Sequence, residues 1–217
     1  AGTGNSEQGW IPAWSKIGSF SHKISVQCRS MDCGSGYQLY SDFNCPFCYA
    51  LHERLHDLNV IERCEWRGVQ HAPHLPRPMK PWSGSLGAEL RHEVSVVQRL
   101  APEVPIALPP GKPNTLPAIV QAVELLRTDH AKGMAFVRAV YRAFWREGQD
   151  ISDPSVLGRL SGVTLSSDQD ETSHRISQEW EAAWHGTGQA GVPLIVSPQG
   201  DLLVGCVPME RVRRFFA

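Results

Sequence analysis

The sequence lacks long hydrophobic runs and an excess of charge of either sign. Its 217 residues carry a formal net charge of −1, and no apolar stretch approaches the roughly 20 residues that a membrane-spanning helix needs. We therefore expect no membrane segment, no basic surface for nucleic acid and no acidic interaction tail. Internal repeats, phosphate-binding loops, dinucleotide fingerprints and a Ser–His–Asp arrangement are also absent from the sequence.

Cysteine is sparse as well, with six residues in the chain, far below the density of small secreted disulfide scaffolds. Residues 1–30 contain no apolar core of a secretory signal. We expect a cytoplasmic protein, and a periplasmic protein whose signal has been removed is the alternative. The six cysteines are Cys28, Cys33, Cys45, Cys48, Cys64 and Cys206.

Two of the cysteines form the motif Cys45-Pro46-Phe47-Cys48. The residues before it, 37–43, predict a buried strand, and the apolar spacing after it predicts a helix that ends near residue 59. Proline suits the first helical turn, because its fixed φ fits a helix and its missing N–H would have had no partner there. The cysteine pair is therefore expected where a strand turns into a helix.

This position favours thiol chemistry. The free N–H groups and partial positive charge of a helix N-terminus lower the pKa of a nearby thiol, so we expect Cys45 to be the exposed nucleophile and Cys48 the shielded resolving thiol. Two other interpretations are an inert structural disulfide and half of a zinc site completed by Cys28 and Cys33. The strand–C-x-x-C–helix context favours the redox interpretation.

The remaining chain predicts a mixed α/β architecture in which an all-helical block interrupts two β-containing segments. A proline-rich break at 71–82 excludes a helix or central strand there. The predicted elements are a strand at 37–43, a helix at 45–59, a strand at 60–69, five helices within 83–187, strands at 191–196 and 202–204, and a helix at 210–216.

Together the two β-containing segments predict a thioredoxin fold with a large helical insertion, in which the first two strands are parallel. The predicted division is an N-terminal arm at 1–36 with an edge strand at 23–28, a thioredoxin-fold domain at 37–82 and 188–217, and a helical domain at 83–187. An arm of this length needs a surface to lie on, which makes a homodimer a further expectation.

A second landmark is Val192-Pro193, at the start of a predicted strand. Proline cannot donate a hydrogen bond within a sheet, so it marks a strand start or special geometry. In a thioredoxin fold this position holds a cis-proline beside the cysteine pair. We therefore expect a cis peptide bond here, with the backbone of Val192 able to pair with an extended substrate.

The cysteine motif, the helical insertion and Gly191-Val192-Pro193 resemble the DsbA family of thiol–disulfide oxidoreductases. Residues 43–49, Asn114-Thr115 and residues 144–157 are similar to its FrnE-like branch, and the resemblance covers about residues 37–217. It implies a protein-disulfide oxidoreductase or isomerase that needs no cofactor beyond a redox-active Cys45–Cys48 disulfide. The implied partner is a thiol- or disulfide-containing protein or a small thiol such as glutathione.

The dipeptide between the cysteines departs from strongly oxidising members, which carry Pro-His. Pro46 and Phe47 are expected to tune the redox potential, and Phe47 supplies no positive charge, so we expect a less oxidising pair. The alternative is a glutathione-dependent enzyme of the 2-hydroxychromene-2-carboxylate isomerase or kappa transferase type. Those enzymes resemble this layout but usually carry Ser where Cys45 stands.

Four further side chains have a less specific interpretation. We expect Cys64 to be a buried inert thiol, and Cys206 to be inert, a third redox thiol or half of another disulfide. His71 and His74 lie in the proline-rich loop, where solvated histidines are favoured over an active-site rim or a metal pair.

Overall fold

The computed structural model of the chain describes residues 36–164 and 167–217. The predicted arm, its edge strand at 23–28, and the cysteines at positions 28 and 33 lie outside the described residues. The described part belongs to one compact unit, and the predicted three-part division of the chain stays a prediction.

A four-stranded mixed sheet forms the base of the structure, as the sequence predicts. Its strands are β1 (Tyr37–Ser41), β2 (Cys64–Gly68), β3 (Leu194–Val196) and β4 (Leu202–Val204). The spatial order is β2-β1-β3-β4, with β1 parallel to β2 and antiparallel to β3. Helix α1 (Pro46–Asp57) connects the two parallel strands together with a short 3₁₀ helix at Ile61–Arg63.

All five helices predicted between the two β-containing segments are present, and a seventh helix ends the chain. They are α2 (Ser85–Leu100), α3 (Leu116–Thr128), α4 (His130–Trp145), α5 (Pro154–Ser161), α6 (Ser167–Gly186) and α7 (Met209–Phe215). None of the helices in the described part is long and apolar enough to cross a membrane.

One hydrophobic core joins the sheet to the helical segment. Leu39 of β1 and Trp66 of β2 share this core with Val137 and Phe144 of α4. A second, smaller cluster lies around Tyr40, Val69, Trp184 and Leu194. Because strand side chains alternate between faces, neighbouring residues of β1 contribute to different clusters, and helices therefore cover both sides of the sheet.

Two strands are shorter than predicted at the points that form the site. β1 ends at Ser41, two residues before the predicted end at Phe43, because the chain turns at Asp42 to enter α1. β3 begins at Leu194 rather than Gly191, and the Val192–Pro193 bond before it is cis, as predicted. A second cis bond, Arg77–Pro78, lies in the proline-rich loop.

Candidate active site

Cys45 occupies the N-cap position of α1, with an extended backbone (φ −100°, ψ 118°) and Pro46 as the first helical residue. The Tyr49 amide donates to the Cys45 carbonyl over 3.2 Å, which is the first hydrogen bond of the helix. Cys45 and Cys48 are free thiols. The backbone thus places the first thiol at the positive end of the helix dipole.

The expected difference in exposure between the two cysteines is small. Cys45 retains 6% of its accessible surface and Cys48 retains 1%. Cys45 is therefore the more accessible thiol, but the expectation of an exposed nucleophile was wrong, because the turn between β1 and α1 is buried on all sides.

Asp42, the residue that follows β1, contacts both cysteines through its backbone. Its carbonyl accepts from the Cys45 amide over 3.2 Å, and its own amide donates to the Cys48 sulfur over 3.4 Å. Its carboxylate, which is completely buried, accepts from both the backbone amide and Nδ1 of His71, over 2.9 and 2.7 Å. Asp42 therefore connects the cysteine turn to the loop that follows β2.

His71 is more than the solvated loop histidine that the sequence predicts. Its side chain is 28% exposed, but its ring is bonded to the buried Asp42 carboxylate. Burial disfavours the imidazolium, yet the attraction of Asp42 outweighs burial and raises the pKa of His71. The pKa of Asp42 is lowered in turn, because the contacts with His71 outweigh its own burial. His74 is exposed.

Sequence reasoning missed this pair, although a signal for it exists. Asp42 directly follows the first predicted strand and His71 follows the second. Parallel neighbouring strands end at the same edge of a sheet, and here Ser41 is paired with Gly68. The Val69 amide also donates to the Ser41 carbonyl over 3.0 Å, which continues the strand pairing toward the histidine.

The two thiols of the motif have opposite pKa shifts. Burial opposes ionisation of Cys45, but the hydrogen bond from Cys48 and the charge of His71 outweigh burial and lower the Cys45 pKa. Burial, together with the proximity of Cys45, raises the pKa of Cys48 well above its ordinary value. This arrangement favours ionisation of Cys45 over ionisation of Cys48.

The cis-proline segment lies against the same thiol. Cys45 Sγ is 3.7 Å from the carbonyl oxygen of Val192, and the cis bond to Pro193 follows directly. The Gly205 amide donates to the Pro193 carbonyl over 2.8 Å, which ties the segment to the end of β4. The structure therefore brings the cysteine motif and Val192-Pro193 together, 147 positions apart in the chain.

Buried hydrogen bonds from the helical segment support the turn that carries the cysteines. Trp145 Nε1 donates to the Phe43 carbonyl over 2.8 Å, and the hydroxyls of Tyr141 and Ser41 lie 2.6 Å apart. Trp145 is completely buried. Helix α4 therefore holds the backbone of the site as well as contributing to the core.

The remaining predicted side chains lie outside this arrangement or at its edge. Phe47 is partly buried and packs against the main core. Cys64 is buried, and desolvation raises its pKa to about 12, as expected for an inert thiol. Cys206 is a partly buried free thiol, 3.7 Å from a guanidinium nitrogen of Arg54, and burial raises its pKa. The described residues contain no group of three or more side chains suited to hold a metal ion.

Comparison with protein families identifies a match over most of the chain. The family model of the DSBA-like thioredoxin domain matches residues 38–217. No curated protein matches the sequence.

Several solved structures share the fold. A protein from Nitrosomonas europaea described as a candidate protein disulfide isomerase has a TM-score of 0.67 at 18% identity, covering 83% of this chain and 94% of its own. A 2-hydroxychromene-2-carboxylate isomerase has a TM-score of 0.59 at 19% identity, covering 83% and 92%. The cytosolic disulfide reductase DsbM from Pseudomonas aeruginosa has a TM-score of 0.58 at 16% identity, covering 77% and 87%.

Proposed function

Since this chain belongs to the DSBA-like thioredoxin domain family, we propose that it is a thiol–disulfide oxidoreductase in which Cys45 and Cys48 form the redox pair. The observation that carries the proposal is the placement of two free thiols in one C-x-x-C motif: Cys45 lies at the N-cap of α1 with its sulfur 3.7 Å from the Val192 carbonyl, and Cys48 lies one turn further into the helix and is more deeply buried. A pair of this kind has one reactive sulfur and one reserve sulfur, which is what dithiol exchange requires.

In the proposed reaction the Cys45 thiolate attacks one sulfur of a substrate disulfide. A sulfur–sulfur bond forms between Cys45 and the substrate, the substrate disulfide breaks, and the other substrate sulfur leaves as a thiolate. Cys48 then loses its proton and attacks the Cys45 sulfur, which releases the second substrate thiolate and leaves a Cys45–Cys48 disulfide. The substrate gains two electrons and the cysteine pair loses them; the reverse sequence oxidises a dithiol.

The substrate-binding role is assigned to Val192 and Pro193. The Val192 carbonyl lies beside the Cys45 sulfur, and the backbone of this segment can pair with an extended chain that carries the disulfide. Backbone pairing places the reacting sulfur without reading the neighbouring side chains. We therefore propose that peptides with a disulfide or dithiol are the substrate class.

A small thiol is the proposed co-substrate that returns the pair to its starting state. One of the structures with the same fold is that of DsbM with GSH, and glutathione is the thiol that we would test first. The assignment to the FrnE-like branch, the cytoplasmic location and the homodimer remain parts of the proposal that rest on the sequence.

The first test is a redox titration of the full chain in glutathione buffers, with alkylation and mass spectrometry of each cysteine. We expect Cys45 and Cys48 to titrate together as one two-electron couple. Replacement of Cys45 by Ser should abolish disulfide reduction, whereas Cys64→Ser serves as the matched control and should retain it. A Cys45 that remains a free thiol or binds only one glutathione would instead favour a glutathione-dependent isomerase or transferase.

A further inference from the structure

The loop that follows β2 supplies a basic side chain to a site whose cysteine motif has none. Phe47 stands between the cysteines and carries no charge. His71 is 29 positions from Asp42 in the chain, yet its Nδ1 lies 2.7 Å from the Asp42 carboxylate. The backbone of Asp42 contacts both cysteines: its carbonyl accepts a hydrogen bond from the Cys45 amide, and its amide donates to the Cys48 sulfur.

The orientation of His71 is fixed from two sides. Its backbone amide and its Nδ1 both bond to the same oxygen of Asp42, so the ring cannot turn away without breaking the ring contact to a buried carboxylate. Its other nitrogen, Nε2, lies 3.4 Å from the ammonium group of Lys112. The side chain of Asp42 has no exposure to water, which makes an uncompensated charge at that position costly.

We propose that His71, held in place by Asp42, is a positioning residue that sets a positive charge beside Cys45 and stabilises its thiolate. In this role it takes the place of a basic residue between the two cysteines. The inference rests on the proposed function, because a stabilised thiolate has a purpose only if Cys45 is the reacting sulfur.

Three charged groups besides His71 decide how strong the effect is. Asp42 favours the imidazolium and Lys112 opposes it. Glu93 opposes ionisation of Cys45. Since Asp42 is bonded directly to the ring, its attraction dominates, and the histidine stays protonated to a higher pH than a free imidazole. The imidazolium and the Cys45 thiolate favour each other, because each charge stabilises the opposite one.

The test is the rate at which Cys45 is alkylated as a function of pH, read by mass spectrometry on the reduced full-length protein. Replacement of His71 by Gln should move the profile of Cys45 upward by about one pH unit, since a neighbouring opposite charge shifts a pKa by roughly 1–3 units. His74→Gln, a change of an exposed histidine in the same loop, is the matched control and should leave the profile in place.

A second variant tests whether the charge of Asp42 keeps His71 protonated. Asp42→Asn keeps an acceptor for His71 but removes the anion that holds it protonated, so the Cys45 profile should again move upward. If Asp42→Asn fails to fold, the alkylation profile of His71→Gln still tests the proposal, and circular dichroism shows whether that variant is folded. A Cys45 profile that does not move in the folded His71→Gln variant overturns the proposal.

The equilibrium with glutathione provides an independent readout. Loss of the cation should shift the thiol–disulfide equilibrium of the pair toward the disulfide by up to about tenfold at neutral pH, which corresponds to about 30 mV for a two-electron couple. A purely structural role for His71 would change thermal stability without this shift. The proposed function fails separately, if Cys45 and Cys48 do not titrate as one couple in the wild-type protein.

Discussion

Two charged clusters lie along helix α1, and they differ in whether their charges act on a reacting group or stabilise the packing of helices. The thiol cluster at its N-terminus consists of Cys45, Asp42 and His71. It contains a group that must change its charge and its covalent state during the proposed reaction, and its histidine is still partly exposed. The charge of His71 in this cluster therefore favours the thiolate form of Cys45.

The arginine cluster lies two turns further along the same helix and consists of Glu53, Arg138, Arg142 and Arg146. The three arginines follow one another at four-residue spacing, two of them on α4 and Arg146 directly after it at the C-cap. All three bond to the Glu53 carboxylate over 2.8–3.0 Å. Burial opposes ionisation of Glu53, but the arginines outweigh it and lower its pKa to about 2. This carboxylate stays charged under all ordinary conditions, so the cluster stabilises packing of α4 on α1.

The comparison teaches that a strongly shifted pKa does not by itself indicate a reactive group. Glu53 is bonded to three arginines and takes no part in the proposed reaction. Cys45 is accompanied by the charge of His71, by the resolving thiol of Cys48 and by the Val192 carbonyl. Four predictions, in order of decreasing effect, test whether the two clusters are as separate as their geometry indicates.

The largest effect is expected from removal of the resolving thiol. In Cys48→Ala the substrate should stay bound to Cys45 as a mixed disulfide, and turnover should fall by several orders of magnitude, because no second sulfur can release it. Non-reducing electrophoresis and mass spectrometry would detect the adduct. Cys206→Ala is the control, and an adduct that still resolves at the wild-type rate would contradict the assigned role of Cys48.

The second effect concerns stability alone. Glu53→Gln leaves three arginines around an uncharged amide and should lower the free energy of unfolding by about 3 kcal/mol, the range expected when one partner of a buried ion pair is removed. Denaturant unfolding measures it. Glu65→Gln, which breaks the more exposed pair with Arg67, should cost less than about 1 kcal/mol.

The same variant sharpens the comparison when the alkylation profile of Cys45 is measured. We expect no shift in Glu53→Gln, since Glu53 lies two turns from Cys45 along α1 and its charge is compensated by three arginines. A shift as large as the one expected for His71→Gln would mean that the two clusters are electrostatically coupled.

The third effect is the pH dependence of stability. The Glu53 carboxyl has a pKa of about 2 in the folded protein and an ordinary value of 4.5, so the folded state binds this proton less readily than the unfolded state does. Its contribution is present above pH 4.5 and is lost as the pH falls toward 2, by up to about 3 kcal/mol. Urea unfolding at several pH values should show this loss in the wild type and a smaller one in Glu53→Gln.

The smallest effect is expected from loss of one arginine. Arg142→Gln leaves two cations on Glu53, and the Arg142 side chain is 37% exposed, so the cost should be about 1 kcal/mol. Thermal unfolding in low and high salt is the measurement, and the difference should shrink in high salt. A cost equal to that of Glu53→Gln would show that the cluster depends on this one contact.

Most of the fold could be predicted because its signals are local. Within residues 36–164 and 167–217, the helical spacing of apolar residues located the seven α-helices, and short apolar runs bounded by turn residues located the four strands. Strand boundaries were less accurate at β1 and β3, where the chain leaves the sheet to form the site. There the backbone bonds to side chains and to other segments, as Trp145 does to the Phe43 carbonyl.

The position of the Cys45–Cys48 motif at a helix start was predicted from a short pattern, and the cis bond at Val192–Pro193 was predicted from the place of this dipeptide in a thioredoxin fold. Proline restricts the backbone, and a helix N-terminus polarises whatever thiol is placed there. The roles assigned to these residues in a reaction stay predictions. The Asp42–His71 pair and the arginine cluster were missed, since each depends on which helix or strand lies next to another.

The sequence by itself determined the order of helices and strands and the position of the cysteine motif at a helix start, because these depend on periodicity and on spacing along the chain. The family followed from the resemblance of its motifs to those of known proteins. Only the tertiary structure decided which side chains share an environment. Parallel pairing of β1 with β2 brings Asp42 to His71, and packing of α4 on α1 brings three arginines to Glu53. Charge interactions depend on distance in space and on burial, and neither quantity can be calculated from the separation of residues along the chain.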